Sequence, residues 1–286
     1  MKVRIWIGSL MAALTAALLV ADNWLGNYHP FLLFFLVVLA PLSCKELLTL
    51  LPPERRPAAW FVQLCVFVVL LGNWPAHLSE WWGNVLPPLN AWQILFDLFA
   101  LVVLAAFCHE MATFREPGGS VQRIALTVWI VAYLGVLPSF LAQLRWLPSS
   151  DEYPARGVTA IALAIFVPKV CDIGAYFTGR MLGRTPMTPV LSPKKTWEGL
   201  AGGLILATGF AVVLNYFSPV LSSAWLAAGF GLTVAVAGVL GDLAESLVKR
   251  DCRRKDASEV VPGFGGVLDV VDSILFAAPV AYWWLR

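Results

Sequence analysis

Charge is what this sequence has least of. Asp, Glu, Lys and Arg make up 13% of its 286 residues, against about 25% in an ordinary soluble domain. The net charge of +2 says little about partners, because what matters is where the charges sit; nucleic acid is not an expected one. Cysteine is sparse and unpatterned. Cys44, Cys65, Cys108, Cys171 and Cys252 show no CxxC spacing, which argues against a disulfide framework or a zinc site and for free thiols. There is no internal repeat, no low-complexity tail and no segment polar enough for a soluble domain. What remains is apolar: 59% of residues are hydrophobic and the mean hydropathy is +0.75. Long runs of such residues belong in a lipid bilayer.

A spanning helix needs about 20 mostly apolar residues. Nine segments qualify, at about 5–21, 31–51, 58–73, 90–108, 124–143, 158–180, 199–217, 223–247 and 267–285. The expected fold is therefore an all-α, polytopic integral membrane helix bundle. The first segment follows a short basic start. With no small-residue cleavage site after it, it reads as a retained helix rather than a signal peptide. Lys and Arg collect on the cytoplasmic side of membranes. With the N-terminus inside, sixteen basic residues fall in cytoplasmic segments and three outside, Lys169 lying within a span. The expected orientation is N-in, C-out. Trp24, Trp74, Trp81, Trp82, Trp146, Trp225, Trp283 and Trp284 then fall near the outer boundary as an aromatic belt.

The few charges gather in three places, all reaching the cytoplasmic face. In VPKVCDIGAYFTGRMLGR, Lys169, Asp172, Tyr176 and Arg180 share one helix face. Pro168 removes a backbone hydrogen bond beside that face, and broken helix at membrane depth lines a cavity or is buried in protein. The Lys–Asp pair is either a packing device or, as intramembrane charges usually are, functional. In SPKKTWEG, Ser192 and Pro193 look like an N-cap and first helical residue. Lys194 and Lys195 then flank a helix N-terminus suited to anions, or simply form a positive-inside loop. Gly199 and Gly203 behind them give a GxxxG spacing for close helix packing.

The third cluster is GDLAESLVKRDCRRKDASEVVPGFGGVLDVVDS. Asp242, Glu245, Ser246, Lys249 and Arg250 form one stripe of a helix leaving the membrane. A cation-rich loop and a glycine turn follow, then Asp269 and Asp272 on one face of the last helix. A solvated loop of paired charges explains residues 251–259, but not acids placed on membrane helices, where burial is costly. Carboxylates facing a cationic loop fit a divalent metal with phosphates: Mg²⁺ takes one or two carboxylates plus substrate phosphates, and Lys and Arg hold the remaining charge.

DIGAYFTGRMLGR, SPKKTWEG and the third cluster, with its S-x-x-K-R-x4-K-D and P-G-x-G-G-x-x-D-x-x-D patterns, resemble in order and spacing the hallmark segments of the phosphatidate cytidylyltransferases (CDP-diacylglycerol synthases). The resemblance covers roughly the C-terminal half. It implies an enzyme that makes CDP-diacylglycerol and pyrophosphate from CTP and phosphatidic acid, using Mg²⁺. It implies Asp242 and Asp269 as metal ligands with Asp272 close by. Ser246, Lys249, Arg250, Lys255 and Asp256 would line the nucleotide-phosphate site. Ser192, Lys194, Lys195 and Thr196 would hold a phosphate, and Asp172 falls on a family position. Asp242, Asp269, Asp272, Lys249 and Arg250 form the catalytic set. Two departures stand out: Phe264 where the family usually has His, and Val270 where it usually has Arg.

On this reading residues 1–150 hold about five N-terminal spans. Residues 151–286 form the catalytic membrane region, its site facing the cytoplasm from the cell (inner) membrane. The resemblance also implies a homodimer. Two alternatives remain: a CTP-dependent enzyme acting on an isoprenoid ether lipid or a polyprenol, and a cation-coupled transporter using Lys169, Asp172 and Asp242. The transporter would place its charges near the midplane of two related halves, and here they crowd one face.

Overall fold

The computed structural model describes residues 2–23, 25, 29–78, 89–153, 155–254, 257, 258, 260 and 265–286. Among them the chain is a succession of helices: α1 (Lys2–Asn23), α2 (Pro30–Leu50), α3 (Ala59–Leu71), α4 (Ala91–Thr113), α5 (Ser120–Leu144), α6 (Arg156–Leu182), α7 (Trp197–Phe217), α8 (Ala224–Asp251) and α9 (Val267–Leu285). Eight of them are long and apolar enough to cross a membrane, α3 reaching that length with the 3-10 turn that carries it to His77. The shorter apolar stretch Trp6–Asp22 lies in α1. Each of the nine apolar segments read from the sequence thus corresponds to a helix. The protein is a polytopic all-α membrane protein, as expected where every backbone N–H and C=O must be satisfied within its own segment.

Local chemistry sets the helix starts. Asp22 accepts from the backbone N–H of Phe31 (3.0 Å) and Leu32 (3.1 Å) at the start of α2, where Pro30 needs no partner. Asn90 accepts from Trp92 N–H (2.9 Å) in α4, and Ser223 from Leu226 N–H (3.2 Å) in α8. Within α5, residues Ala132–Val136 form a π-turn. Pro138 follows it and has no N–H to give the preceding turn, which explains why the ladder widens there.

Packing divides the chain into two units. The first comprises Met1–Ala142 with Ala257–Leu268, the second Gln143–Asp256 with Asp269–Arg286. In the first, Asn73 donates to Ser139 Oγ (2.9 Å), fixing the end of α3 to α5. Arg123 forks onto Glu110 with contacts of 2.8–3.0 Å, fixing α5 to α4. In the second, small residues let backbones nearly touch. A Cβ on Gly203 of α7 would lie 2.6 Å from the Cys171 carbonyl oxygen of α6. One on Gly241 of α8 would lie 2.5 Å from the Asp272 carbonyl oxygen of α9. This closeness brings charged side chains of α6, α8 and α9 within reach of one another.

Two expectations are corrected. Pro168 does not break its helix. α6 runs through it unbroken, and the buried ring packs so tightly on Gly238 that a Cβ there would lie 2.5 Å from Pro168 Cβ. This flank is packed against α8. Nor do Ser192 and Pro193 start a helix. Ser192–Thr196 forms strand β2, antiparallel to β1 (Pro186–Thr188). The helix begins only at Trp197, with Thr196 Oγ1 accepting from Gly199 N–H at 3.1 Å. Glu198 closes the hairpin by accepting from Arg184 N–H, Thr185 N–H and Thr185 Oγ1.

Candidate active site

Three lysines organise five carboxylates within the second unit. Lys169 of α6 lies 3.8 Å from Asp172 one turn on and 3.5 Å from Asp272 of α9. Lys195, at the end of β2, pairs with Asp242 of α8 at 2.5 Å. Lys249 of α8 bonds Glu245 one turn back at 2.7 Å and Asp269 of α9 at 2.5 Å. Glu245, Lys249 and Asp272 are buried; Asp172, Lys169, Lys195 and Asp242 are half-buried. Charges are not kept out of water without compensation. Five formal negative charges against three positive leave an excess of two.

The geometry says where that excess sits. One carboxylate oxygen each from Asp242, Glu245 and Asp272 lie within 4.8 Å of one another. Glu245 Oε1 is buried with no hydrogen-bond partner among the described residues. Leaving a buried acceptor unmade costs about 1–3 kcal/mol, more when it is charged, so the arrangement calls for a cation. Hard oxygen donors in a group of three suit Mg²⁺, which uses few carboxylates and completes its octahedron with water and phosphate oxygens. The residues present fit that ion.

The sequence reading finds its members here with one shift of emphasis. Asp242, Asp269, Asp272, Lys249, Lys195 and Asp172 all enter the ion-pair network. Glu245 was part of the α8 stripe but not of the expected site. Its place three residues after Asp242 and four before Lys249 was the available signal. Asp269, expected as a metal ligand, is held by Lys249, while Glu245 joins Asp242 and Asp272 in the triad of oxygens. Lys169 also enters, bridging α6 and α9.

The remaining residues frame the edge. Lys194 is exposed on β2 beside Lys195. Arg250 donates to the Leu191 carbonyl (3.2 Å), tying the end of α8 to the hairpin. Ser246 is half-buried beside Glu245. Ser192 accepts at its carbonyl from Thr188 Oγ1, and the Thr196 hydroxyl serves as helix cap. Lys255, Asp256 and Phe264 lie outside the described residues. Cys252, just past α8, is no candidate nucleophile, because burial pushes its thiol up from its ordinary value and away from the reactive thiolate.

The sequence model of the cytidylyltransferase family matches residues 2–286. A phosphatidate cytidylyltransferase of Staphylococcus aureus is 28% identical over 249 residues, 87% of this chain and 87% of that protein. The chloroplastic phosphatidate cytidylyltransferase 4 of Arabidopsis thaliana is 32% identical over 204 residues, covering 65% of this chain and 52% of the relative. A phosphatidate cytidylyltransferase of Mycobacterium bovis is 35% identical over 168 residues, 59% of this chain and 52% of that protein. The chain thus spans about half the length of the last two.

Proposed function

The chain belongs to the cytidylyltransferase family, and on that footing we propose that it transfers the cytidylyl group of CTP to phosphatidic acid, giving CDP-diacylglycerol and pyrophosphate. The observation that carries this is the triad of oxygens from Asp242, Glu245 and Asp272, ringed by Lys169, Lys195 and Lys249. The relatives' names supply the acceptor.

In the reaction a phosphate oxygen of phosphatidic acid attacks the α-phosphorus of CTP. The bond from that phosphorus to the oxygen bridging to the β-phosphorus breaks, and pyrophosphate leaves with the electron pair. The lipid phosphate is already anionic near neutral pH, so no protein base has to remove a proton. Bound Mg²⁺ would polarise the phosphate oxygens and offset charge on the leaving group. Asp242, Glu245 and Asp272 would hold that ion. Lys195 and Lys194, on the hairpin at the rim, would meet phosphate oxygens as the lysine point charges do elsewhere. Lys249 bridges Asp269 and Glu245 and fixes both, so the site needs little rearrangement when substrate arrives. Lys169 and Asp172 place a half-buried charged pair on α6 beside Asp272, a fitting place for the lipid phosphate.

The proposal includes the N-in, C-out orientation, which rests on the distribution of Lys and Arg. It also includes a site opening to the cytoplasm from the inner membrane, and a second copy of the chain as partner, which rests on the family resemblance. The family match gives a cation-coupled transporter no support. A panel of acceptors decides the lipid. Pyrophosphate release should appear with CTP, Mg²⁺ and phosphatidic acid. Release only with an ether-linked lipid phosphate or a polyprenyl acceptor would move the substrate to that class.

A further inference from the structure

The last helix, α9, is capped by a side chain from outside it. An α-helix leaves its first N–H groups without partners inside the helix. Here two of them find their partner in one side chain far away in sequence. Glu46, near the end of α2, accepts from Val267 N–H through Oε1 (3.0 Å) and from Leu268 N–H through Oε2 (2.8 Å). Ser258 Oγ donates to the same Oε1 at 2.6 Å. The carboxylate is buried, and all these groups lie in the first unit.

Gly266, directly before α9, is fitted to this contact. A Cβ on Gly266 would stand 2.5 Å from Glu46 Oε2 and 2.8 Å from its Cδ, so no larger residue fits without moving the carboxylate. Gly265 has φ +106, which a side chain would strain. Gly266 is thus fitted to a buried acid, and Gly265 to the backbone conformation that leads into it.

The consequence lies one residue further on. Asp269 is the third residue of α9, the position from which an acidic side chain commonly folds back onto its own helix start. Here it reaches Lys249 of α8. Asp272 follows one turn later. We propose that Glu46 is a positioning residue. By capping α9 from outside, it fixes where the helix begins, and with that the places of Asp269 at its third residue and Asp272 one turn on. This rests on the reading of Asp269 and Asp272 as active-site groups.

The test compares Glu46→Gln, Gly266→Ala and the double variant with the wild-type protein in detergent. Gln retains the length but offers one acceptor oxygen and turns an NH₂ toward a donor. Hydrogen exchange of the peptide covering residues 265–275, measured without metal, CTP or lipid, should quicken in both single variants. Turnover should fall roughly 10- to 100-fold, as for residues that orient metal ligands. The Mg²⁺ concentration for half-maximal rate should rise while the KM for CTP stays near wild type. The double variant should be no worse than the poorer single one, because both act through one carboxylate. Unchanged exchange overturns the proposal whether or not turnover changes, and so do multiplying effects in the double variant. If Glu46→Gln does not fold, Gly266→Ala alone carries the same exchange and Mg²⁺ readouts. Should wild-type protein transfer no cytidylyl group, the functional reading fails, and the exchange data still decide the capping contact.

Discussion

Lys249 and Asp269 meet at 2.5 Å across α8 and α9, and the same ammonium lies 2.7 Å from Glu245. One buried cation therefore satisfies a buried acid and a part-buried acid from two helices. Removing one member of such a group leaves uncompensated charge and costs about 3–5 kcal/mol. Lys249→Met should lower the unfolding temperature in detergent clearly and abolish measurable turnover. A variant with wild-type melting would show that the ion pair does not hold α8 to α9.

Glu245 and Asp269 separate two assignments of the metal ligands. If Asp242, Glu245 and Asp272 hold the ion, Glu245→Gln should raise the Mg²⁺ needed for half-maximal rate by more than about tenfold, a loss near 1.4 kcal/mol. Asp269→Asn should damage turnover with a smaller change in Mg²⁺ demand. The reverse order in a Mg²⁺ titration would return Asp269 to the ligand set expected from the sequence.

Lys195 pairs with Asp242 at the rim, where arriving triphosphate would compete for its ammonium. A hydrogen bond from a charged donor contributes about 1.5–3 kcal/mol. Lys195→Ala should therefore reduce kcat/KM for CTP by roughly 10- to 150-fold, with Lys194→Ala milder because that side chain is exposed. Steady-state kinetics at fixed lipid would show it. Equal, small effects from both would place the triphosphate elsewhere.

Gly203 tests the packing that brings the helices together. Alanine there should gain up to about 1 kcal/mol in helix propensity. Its Cβ would lie 2.6 Å from a backbone oxygen of α6, and overpacking of that kind costs about 1–3 kcal/mol. The clash should win, so Gly203→Ala should melt lower than wild type. A higher melting temperature would mean that α6 and α7 separate freely.

How much of this the sequence disclosed depends on the range of the interaction. Span-length apolar runs depend on neighbouring residues alone, so the helices were legible, and so was the acid stripe Asp242–Glu245–Lys249. The Ser192–Pro193 pair misled because local capping rules cannot see that residues 186–188 claim 192–196 as a strand partner. The true cap, Thr196, lies four residues on. Pro168 misled because a proline's missing bond need not open a helix that packs tightly on Gly238. Glu46 left no local trace at all, since its partners lie 212 to 222 residues away. Beside Lys45 it reads as the ordinary charged end of a span.

The central claim is metal-dependent transfer of the cytidylyl group to a lipid. The most direct measurement incubates the purified protein with phosphatidic acid, Mg²⁺ and CTP labelled at the α-phosphate, then counts label in the lipid phase with and without EDTA. Label should enter the lipid with Mg²⁺ and vanish with EDTA, and label at the γ-phosphate should stay in water as pyrophosphate. Folded protein that leaves the α-label in the aqueous phase, or transfers it equally well in EDTA, would contradict the account.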